Sequence, residues 1–501
     1  MHITLPRPAA FSISRSTIVR LALSAVSGAL MALAMPGIDF GWLAWFALVP
    51  LLLAVEGLSA GAAFWIALPF GLIWAVSAHR WYPFVLGPAG IALMPLVGCF
   101  YATLIQFGVW LRGERPAGGL AGLLILPLAW TAGEFLRAAA PITGEWWFAQ
   151  LANSQWLNPP ALQVLTVTGT PGLAFALMLS NIALARLALV ALHRGAFTPW
   201  PLLALAGVTV VVGWGALAIP APPAERITIG ATVDMANADP AIQASGEGAG
   251  AGYRASTPAQ SQAIFDVNAA LTRSLAAERP AFVVWPENEI ADIDDPLIRP
   301  QLAALARELQ TYLVVDTVWQ APGGMHDTAL LIGPDGQEIG RQAKVAVTSG
   351  ELEAGFVPGP PTHQVFATPY GRVGLGVCWD RHYTTATRRL AQQGAQLVFM
   401  PDDSDFGTAA FPPYHAADSV FRAVENRVAF ALGSVSGPAQ VIDPYGRMSA
   451  RSGIDERGAI SGATFVVEER TLYTRWGDWF GWLTVGVAAL LTLWRARSPQ
   501  V

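Results

Sequence analysis

The chain has 501 residues, of which 53% are hydrophobic and only 13% charged, with 19 Trp and a formal net charge of −5. Soluble domains run at about 25% charged, so the composition excludes a wholly soluble protein, and the mild negative charge provides no basic surface for nucleic acid. Two cysteines, Cys99 and Cys378, are too few for a disulfide framework.

Between Leu21 and Leu111 the only formally charged residues are Asp39, Glu56 and Arg80, a density that suits segments of about 20 residues crossing a bilayer. Punctuation at Met35-Pro36-Gly37 and at His79-Arg80-Trp81-Tyr82-Pro83 divides the region into spans at 19–35, 41–56, 58–78 and 90–111. Further spans are expected at 119–137, 168–192, 199–218 and 479–494, about eight in all. The first runs straight into a second apolar segment and reads as a retained helix rather than a cleaved signal. Cys99, inside the fourth, reads as a small core residue facing other helices.

Basic residues set the orientation. Arg7, Arg15 and Arg20 precede the first span, Arg112 and Arg115 follow the fourth, His193 and Arg194 the sixth, and Arg495 and Arg497 the last. If the spans alternate, all fall on one side, which makes both termini cytoplasmic and the segment from about 220 to 475 external. Arg80 and Arg137 fall on the other side and are outnumbered. The outer loop Gly144-Glu145-Trp146-Trp147-Phe148 reads as an interfacial aromatic belt.

After Pro220-Ala221-Pro222-Pro223 the composition becomes that of a globular α/β domain. Strands are expected at 226–233, 281–285, 312–317, 372–377, 396–400 and 428–434. Helices are expected at 258–277, over Leu302, Leu305 and Leu309, at 384–393 and at 412–427. Hairpins turn at Gly333-Pro334-Asp335-Gly336 and Asp443-Pro444-Tyr445-Gly446. This alternation implies a layered sandwich. The division is a membrane domain at 1–219, a catalytic domain at 220–475, and a last span with its tail at 476–501.

Three strand ends present Glu287, Lys344 and Cys378, and strand C-termini are where α/β folds collect reactive groups. A thiol at a strand-to-helix turn is a nucleophile in waiting, a desolvated carboxylate can serve as its base, and an ammonium can lower the thiol pKa and hold an oxyanion. Together they support acyl transfer through a thioester. The seven His have no paired ligand spacing, His382 and His415 read as isolated, and nothing implies a metal or a dissociable cofactor.

Val284-Trp285-Pro286-Glu287, a lysine after a hairpin and Gly376-Val377-Cys378-Trp379-Asp380 resemble the Glu–Lys–Cys signature of the nitrilase (carbon–nitrogen hydrolase) superfamily. The membrane half resembles one branch of it, the apolipoprotein N-acyltransferases. The matching stretches are Phe40–Leu51, Trp130–Arg137, Asn153-Ser154-Gln155 and Thr474-Arg475-Trp476-Gly477-Asp478-Trp479.

The resemblance implies a multi-pass helical membrane domain joined to an α-β-β-α sandwich in a bacterial inner membrane, with that sandwich in the periplasm. It also implies a membrane phospholipid as acyl donor, a diacylglyceryl-modified lipoprotein as acceptor, Cys378 as nucleophile, Glu287 as base and Lys344 as oxyanion partner. Glu351, Trp379 and Asp380 stand as supporting residues. The family's Pro-Phe-Gly-Glu run after the lysine is absent, leaving Glu351 or Glu353 in its glutamate's place. Trp379-Asp380 replaces a usual Tyr-Glu, and Asp402–Gly407 loses a usual tryptophan. The other reading is a membrane-bound amidase or acyltransferase of the same chemistry acting on a different amine or amide.

Overall fold

A computed structural model describes residues 14–113, 119–139, 147–244, 257–287, 290 and 292–497. Arg7, Arg115 and Gly144 to Trp146 lie outside them. Among the described residues, seven helices are long and apolar enough to cross a membrane: Arg15–Ala34, Ala60–Ala78, Pro88–Arg112, Leu120–Ala139, Thr170–Ala191, Trp200–Ala218 and Trp479–Arg497.

The expected span at 41–56 is not a continuous helix. It is a 3-10 turn, Gly41–Trp45, followed by a short helix, Val49–Val55, with a proline at its start. Broken backbone at membrane depth survives only where protein satisfies it. Here Asn181 accepts from Leu48 N–H at 2.7 Å and donates to Ala44 O at 2.8 Å, while Ser180 donates to Trp45 O at 3.0 Å. The segment still returns the chain to its starting face. Arg20 bonds the carbonyls of Ala54 and Glu56, and Glu56 pairs with Arg112 at 3.2 Å and Arg186 at 2.8 Å. Arg495 lies against Gly113 on the same face. Arg137, counted above as an outer basic residue, is buried and bonded to Tyr101 and Phe148 O. Cys99 is half-buried rather than core.

The motif stretches are latches between loops. Gly41 is glycine because a β-carbon there would lie 2.0 Å from Ser154 O. Gln155 bonds Trp45 Nε1 at 3.0 Å and Gly41 O at 2.6 Å, and Glu134 accepts from Leu151 N–H at 3.0 Å. Tyr473 donates to Asp478 at 2.6 Å and Trp479 Nε1 to Val167 O at 2.7 Å, fixing the corner into the last helix.

The extramembrane half has strands β1 (Ile227–Val233), β2 (Phe282–Val284), β3 (Tyr312–Ala321), β4 (Gly324–Ile332), β5 (Glu338–Ala343), β6 (Val365–Thr368), β7 (Gly371–Leu375), β8 (Leu397–Phe399), β9 (Ala429–Leu432), β10 (Gln440–Ile442), β11 (Met448–Arg451) and β12 (Gly458–Thr464). They form two six-stranded sheets, ordered β12-β1-β2-β3-β4-β5 and β11-β10-β9-β8-β7-β6. Their facing sides pack Phe282, Val284, Val314 and Leu331 against Val373, Leu375, Phe399 and Ala431. Helices Pro258–Ser274 and Ile298–Leu309 cover the first sheet through Phe265, Leu302 and Leu305. Helices Thr384–Gln392 and Pro412–Asn426 cover the second.

The outer side of that last layer does not meet water. Phe411 rests on Trp81 at 4.4 Å between centroids, Pro413 abuts Gly37, and one apolar cluster runs from the second sheet into the membrane helices. Every residue of Pro412–Asn426 is buried. The sandwich therefore sits directly on the face of the membrane bundle opposite Arg20, Arg112 and Arg495.

Candidate active site

β2 runs through Trp285 and Pro286 into Glu287, β5 hands over to Lys344, and β7 is followed by Gly376, Val377 and Cys378. The three side chains expected at strand ends meet. Lys344 Nζ is 2.5 Å from Glu287 Oε1, and both groups act electrostatically on the Cys378 thiol. All are buried.

Cys378 holds φ +39°, a left-handed conformation that costs a side-chain-bearing residue about 1–3 kcal/mol. The surroundings hold it there. Cys378 N–H donates to Pro401 O at 2.8 Å, and Asp380 accepts from Val377 N–H at 3.1 Å. The other Asp380 oxygen accepts from Val345 N–H at 3.0 Å and Ala346 N–H at 2.8 Å, clamping the lysine loop to the cysteine turn. Burial raises the Asp380 carboxyl to about 6 against these bonds. A 3-10 turn, Cys378–His382, begins at the cysteine, and the helix expected at 384–393 follows it as Thr384–Gln392.

Lys344 faces three buried carboxylates: Glu287, Asp327 at 3.1 Å, and Glu351. Burial alone would lower its pKa, but the carboxylates override it and hold the ammonium well above its usual range. Burial pushes Glu287 well above the carboxylate range; Lys344 opposes, while Asp327, Glu351 and Asp403 reinforce. Burial, with Glu287 adding, also pushes the Cys378 thiol well up against the pull of Lys344. Lys344 lowers the thiol as expected, but burial and Glu287 outweigh it. A thiol raised in this way gives up its proton only to a neighbouring base. A carboxylate raised towards the thiol's range is the better acceptor for it.

Glu351, not Glu353, reaches the site. Glu353 is exposed, whereas Glu351 is buried on Lys344, its other oxygen accepting from Thr348 N–H at 2.6 Å in a capping box. Trp379 is half-buried and lines a cleft of about 1310 Å³. Tyr82, Leu86, Phe135 and Trp147 wall it from the membrane side, and Ser349 and His382 from the sandwich.

Several functional neighbours escaped the sequence reading. Asp327 lies inside β4, away from any strand end. Asp403 N–H donates to Glu287 Oε2 at 2.8 Å, and its carbonyl is 3.7 Å from Cys378 Sγ. His382 and His415 are not isolated: their ring centroids are 4.5 Å apart. Cys378, Asp402 and His415 could bring ligand atoms within 4.8 Å of one another, but Arg381 already sits 2.6 Å from Asp402 and supplies the positive charge. Trp147 is no interfacial belt residue; its ring stacks on His382 at 3.4 Å and 6°.

The family model for the apolipoprotein N-acyltransferase N-terminal domain matches residues 27–183, and that for carbon–nitrogen hydrolases matches 253–469. The chain is 29% identical to an apolipoprotein N-acyltransferase of Geobacter metallireducens, over 96% of each chain. It is 28% identical to one of Gloeobacter violaceus, over 94% of this chain and 93% of that protein. An amidase of the nitrilase superfamily from Nesterenkonia AN1 matches 52% of this chain and 95% of its own, at 19% identity and a TM-score of 0.40.

Proposed function

The chain belongs to the membrane-bound branch of the nitrilase superfamily, the apolipoprotein N-acyltransferases, and from that premise we propose a two-stage acyl transfer. Residues 1–219 and 476–501 make the membrane part and 220–475 the catalytic part. In the first stage Glu287 takes the proton of the Cys378 thiol, and the sulfur attacks the ester carbonyl of a membrane phospholipid. The Lys344 ammonium faces the developing oxyanion, and the lyso-lipid alcohol leaves with the proton from Glu287. In the second stage the α-amine of a diacylglyceryl-cysteine at a lipoprotein N-terminus attacks the thioester carbonyl. The C–S bond breaks, the amide forms and the thiol is restored. Asp380 and Glu351 hold the turn and the lysine in register, and Trp379 lines the approach.

One observation carries this reading: Trp379, next to Cys378, and Thr348 to Gly350, on the loop after Lys344, line a cleft whose opposite wall is built from membrane-domain aromatics. An ester at headgroup depth suits that position. We assign the enzyme to the bacterial inner membrane, with the Arg20–Arg112–Arg495 face and both termini cytoplasmic and the sandwich periplasmic.

Intact-protein mass spectrometry after incubation with phospholipid alone tests the reading. A hydroxylamine-labile fatty-acyl adduct, discharged by a diacylglyceryl lipopeptide to give the triacylated product, is the expected result. An adduct that the lipopeptide fails to discharge would overturn the acceptor, and no adduct at all would overturn the mechanism. Glu287→Gln should slow adduct formation by about 10²–10⁴-fold. In the wild type this step should gain rate as pH rises through the raised pKa of Glu287, and stopped-flow loading across pH 5–9 should find that limb missing from the variant.

A further inference from the structure

The proposed cycle leaves one proton without a destination. In the first stage Glu287 receives the thiol proton and passes it to the leaving alcohol, so the count closes. In the second, an attacking amine can return one N–H proton through Glu287 to the sulfur, and that also closes. An α-amine, however, has a pKa of about 7.7–8.0 and arrives largely as an ammonium at neutral pH. It must lose a proton before it has a lone pair to attack with, and Glu287 can relay only the one proton that returns to the sulfur, so the extra proton needs another acceptor.

A second acid–base pair lines the same cleft. His382 Nδ1 is 2.8 Å from Asp418 Oδ2, both residues line the cleft wall, and His382 is buried with its Nε2 lacking any hydrogen-bond partner. An imidazole fixed through Nδ1 by a carboxylate, with Nε2 left free, is the arrangement that makes histidine a directed base. The ring is pinned on its flanks. Trp147 stacks on it at 3.4 Å, and Trp379 meets it edge-on at 4.9 Å between centroids. His382 ends the 3-10 turn that begins with Cys378, so the imidazole and the thiol are carried by one five-residue turn.

Building on the acyl-transfer reading, we propose that His382 is the base that deprotonates the acceptor ammonium, with Asp418 as its positioning partner. The ammonium gives one proton to His382 Nε2. The freed nitrogen attacks the thioester carbonyl, the C–S bond breaks, and the imidazolium releases its proton to solvent through the cleft. The groups facing the ring are Asp418 and Arg422 from the helix Pro412–Asn426, His415 from the same helix, and Arg381 and Lys344 from the catalytic turn and loop. Burial first, then His415 and the cations Arg381, Arg422 and Lys344, pull the His382 pKa well below the usual value, while burial lifts Asp418 to about 7. The ring is therefore neutral when the acceptor arrives and passes the proton on rather than keeping it. A neutral ring is the form able to accept a proton.

The test separates the two stages. Wild type, His382→Gln and Asp418→Asn are each loaded with phospholipid, freed of excess lipid, and mixed with diacylglyceryl lipopeptide from pH 6 to 9. Any loss of loading in either variant should be a constant factor across the pH range and several-fold smaller than the loss of discharge at pH 6.5. Discharge should fall by about 20-fold at pH 6.5 for His382→Gln, the scarcity of neutral amine for an α-amine of pKa about 7.7–8.0, and recover towards wild type by pH 9, where the amine is already neutral. Asp418→Asn should follow the same pH trend with a smaller loss. Equal slowing of loading and discharge, or a discharge defect independent of pH, would overturn the proposal and leave His382 a packing residue. Failure of the wild type to load would instead strike the acyl-transfer reading itself.

Discussion

Cys378→Ser should leave a folded protein that forms no detectable acyl adduct. The thiol's surroundings explain both halves of that expectation. Sγ makes one weak contact, 3.7 Å to Asp403 O, so an oxygen in its place costs the fold about 1 kcal/mol or less. The burial that raises the thiol would raise a hydroxyl from a far higher starting point, beyond what Glu287 can deprotonate. Turnover should fall by roughly 10⁴–10⁶, the scale of deleting a nucleophile. Melting temperature in detergent and adduct mass, measured on the same sample, check the two parts. A serine variant that loads lipid at even a hundredth of the wild-type rate would remove sulfur from the mechanism.

Lys344→Met should damage stability and chemistry together. Methionine fills similar space, but Glu287, Asp327 and Glu351 would then share a dry pocket with no cation. Removing one partner of a buried ionic cluster costs about 3–5 kcal/mol. Three uncompensated carboxylates would take up protons, and a carboxyl whose folded pKa exceeds its unfolded value destabilises when ionised. The deficit should therefore be largest above pH 7 and shrink as pH falls through the raised pKa values. Thermal unfolding in detergent at pH 5 and 8 reads this directly. An equal deficit at both values would mean that packing, not charge, is what Lys344 supplies. Loading should fall by a further 10²–10³ or so, as expected for loss of an oxyanion partner.

That Glu287, Lys344 and Cys378 meet was legible because these side chains follow strand ends, and strand ends are visible in sequence as apolar runs that stop. β2 and β7 are such runs, and their last residues hand over to Glu287 and Cys378. What was not legible is held by tertiary contact alone. Asp327 is an acid in mid-strand, paired with Lys344 only because β4 and β5 lie side by side. His382 and Asp418 belong to different elements, and no spacing rule joins them. β12, Gly458–Thr464, is too rich in Gly, Ala and Ser to declare itself a strand, yet it pairs along all of β1. The segment 41–56 misled for a different reason. Hydropathy counts apolar residues, and it does not see that Asn181 and Ser180 satisfy a backbone that is not helical there.

Pro412–Asn426 has a meaning for how the molecule is made. A helix with no exposed residue has two partners, and here one is a β-sheet and the other a membrane bundle. It carries His415, Asp418, Arg422 and Glu425 in its buried body, so it cannot lie in lipid on its own, and its apolar surface makes it a poor guest of water. Its place exists only once the transmembrane helices have assembled beneath it. The bilayer-inserted part then supplies the mould on which the enzyme half is cast, and the expected order of assembly is spans first. Residues 220–475 produced without the spans should be recovered aggregated or protease-sensitive, and the same residues co-produced with 1–219 and 476–501 as separate pieces should be rescued.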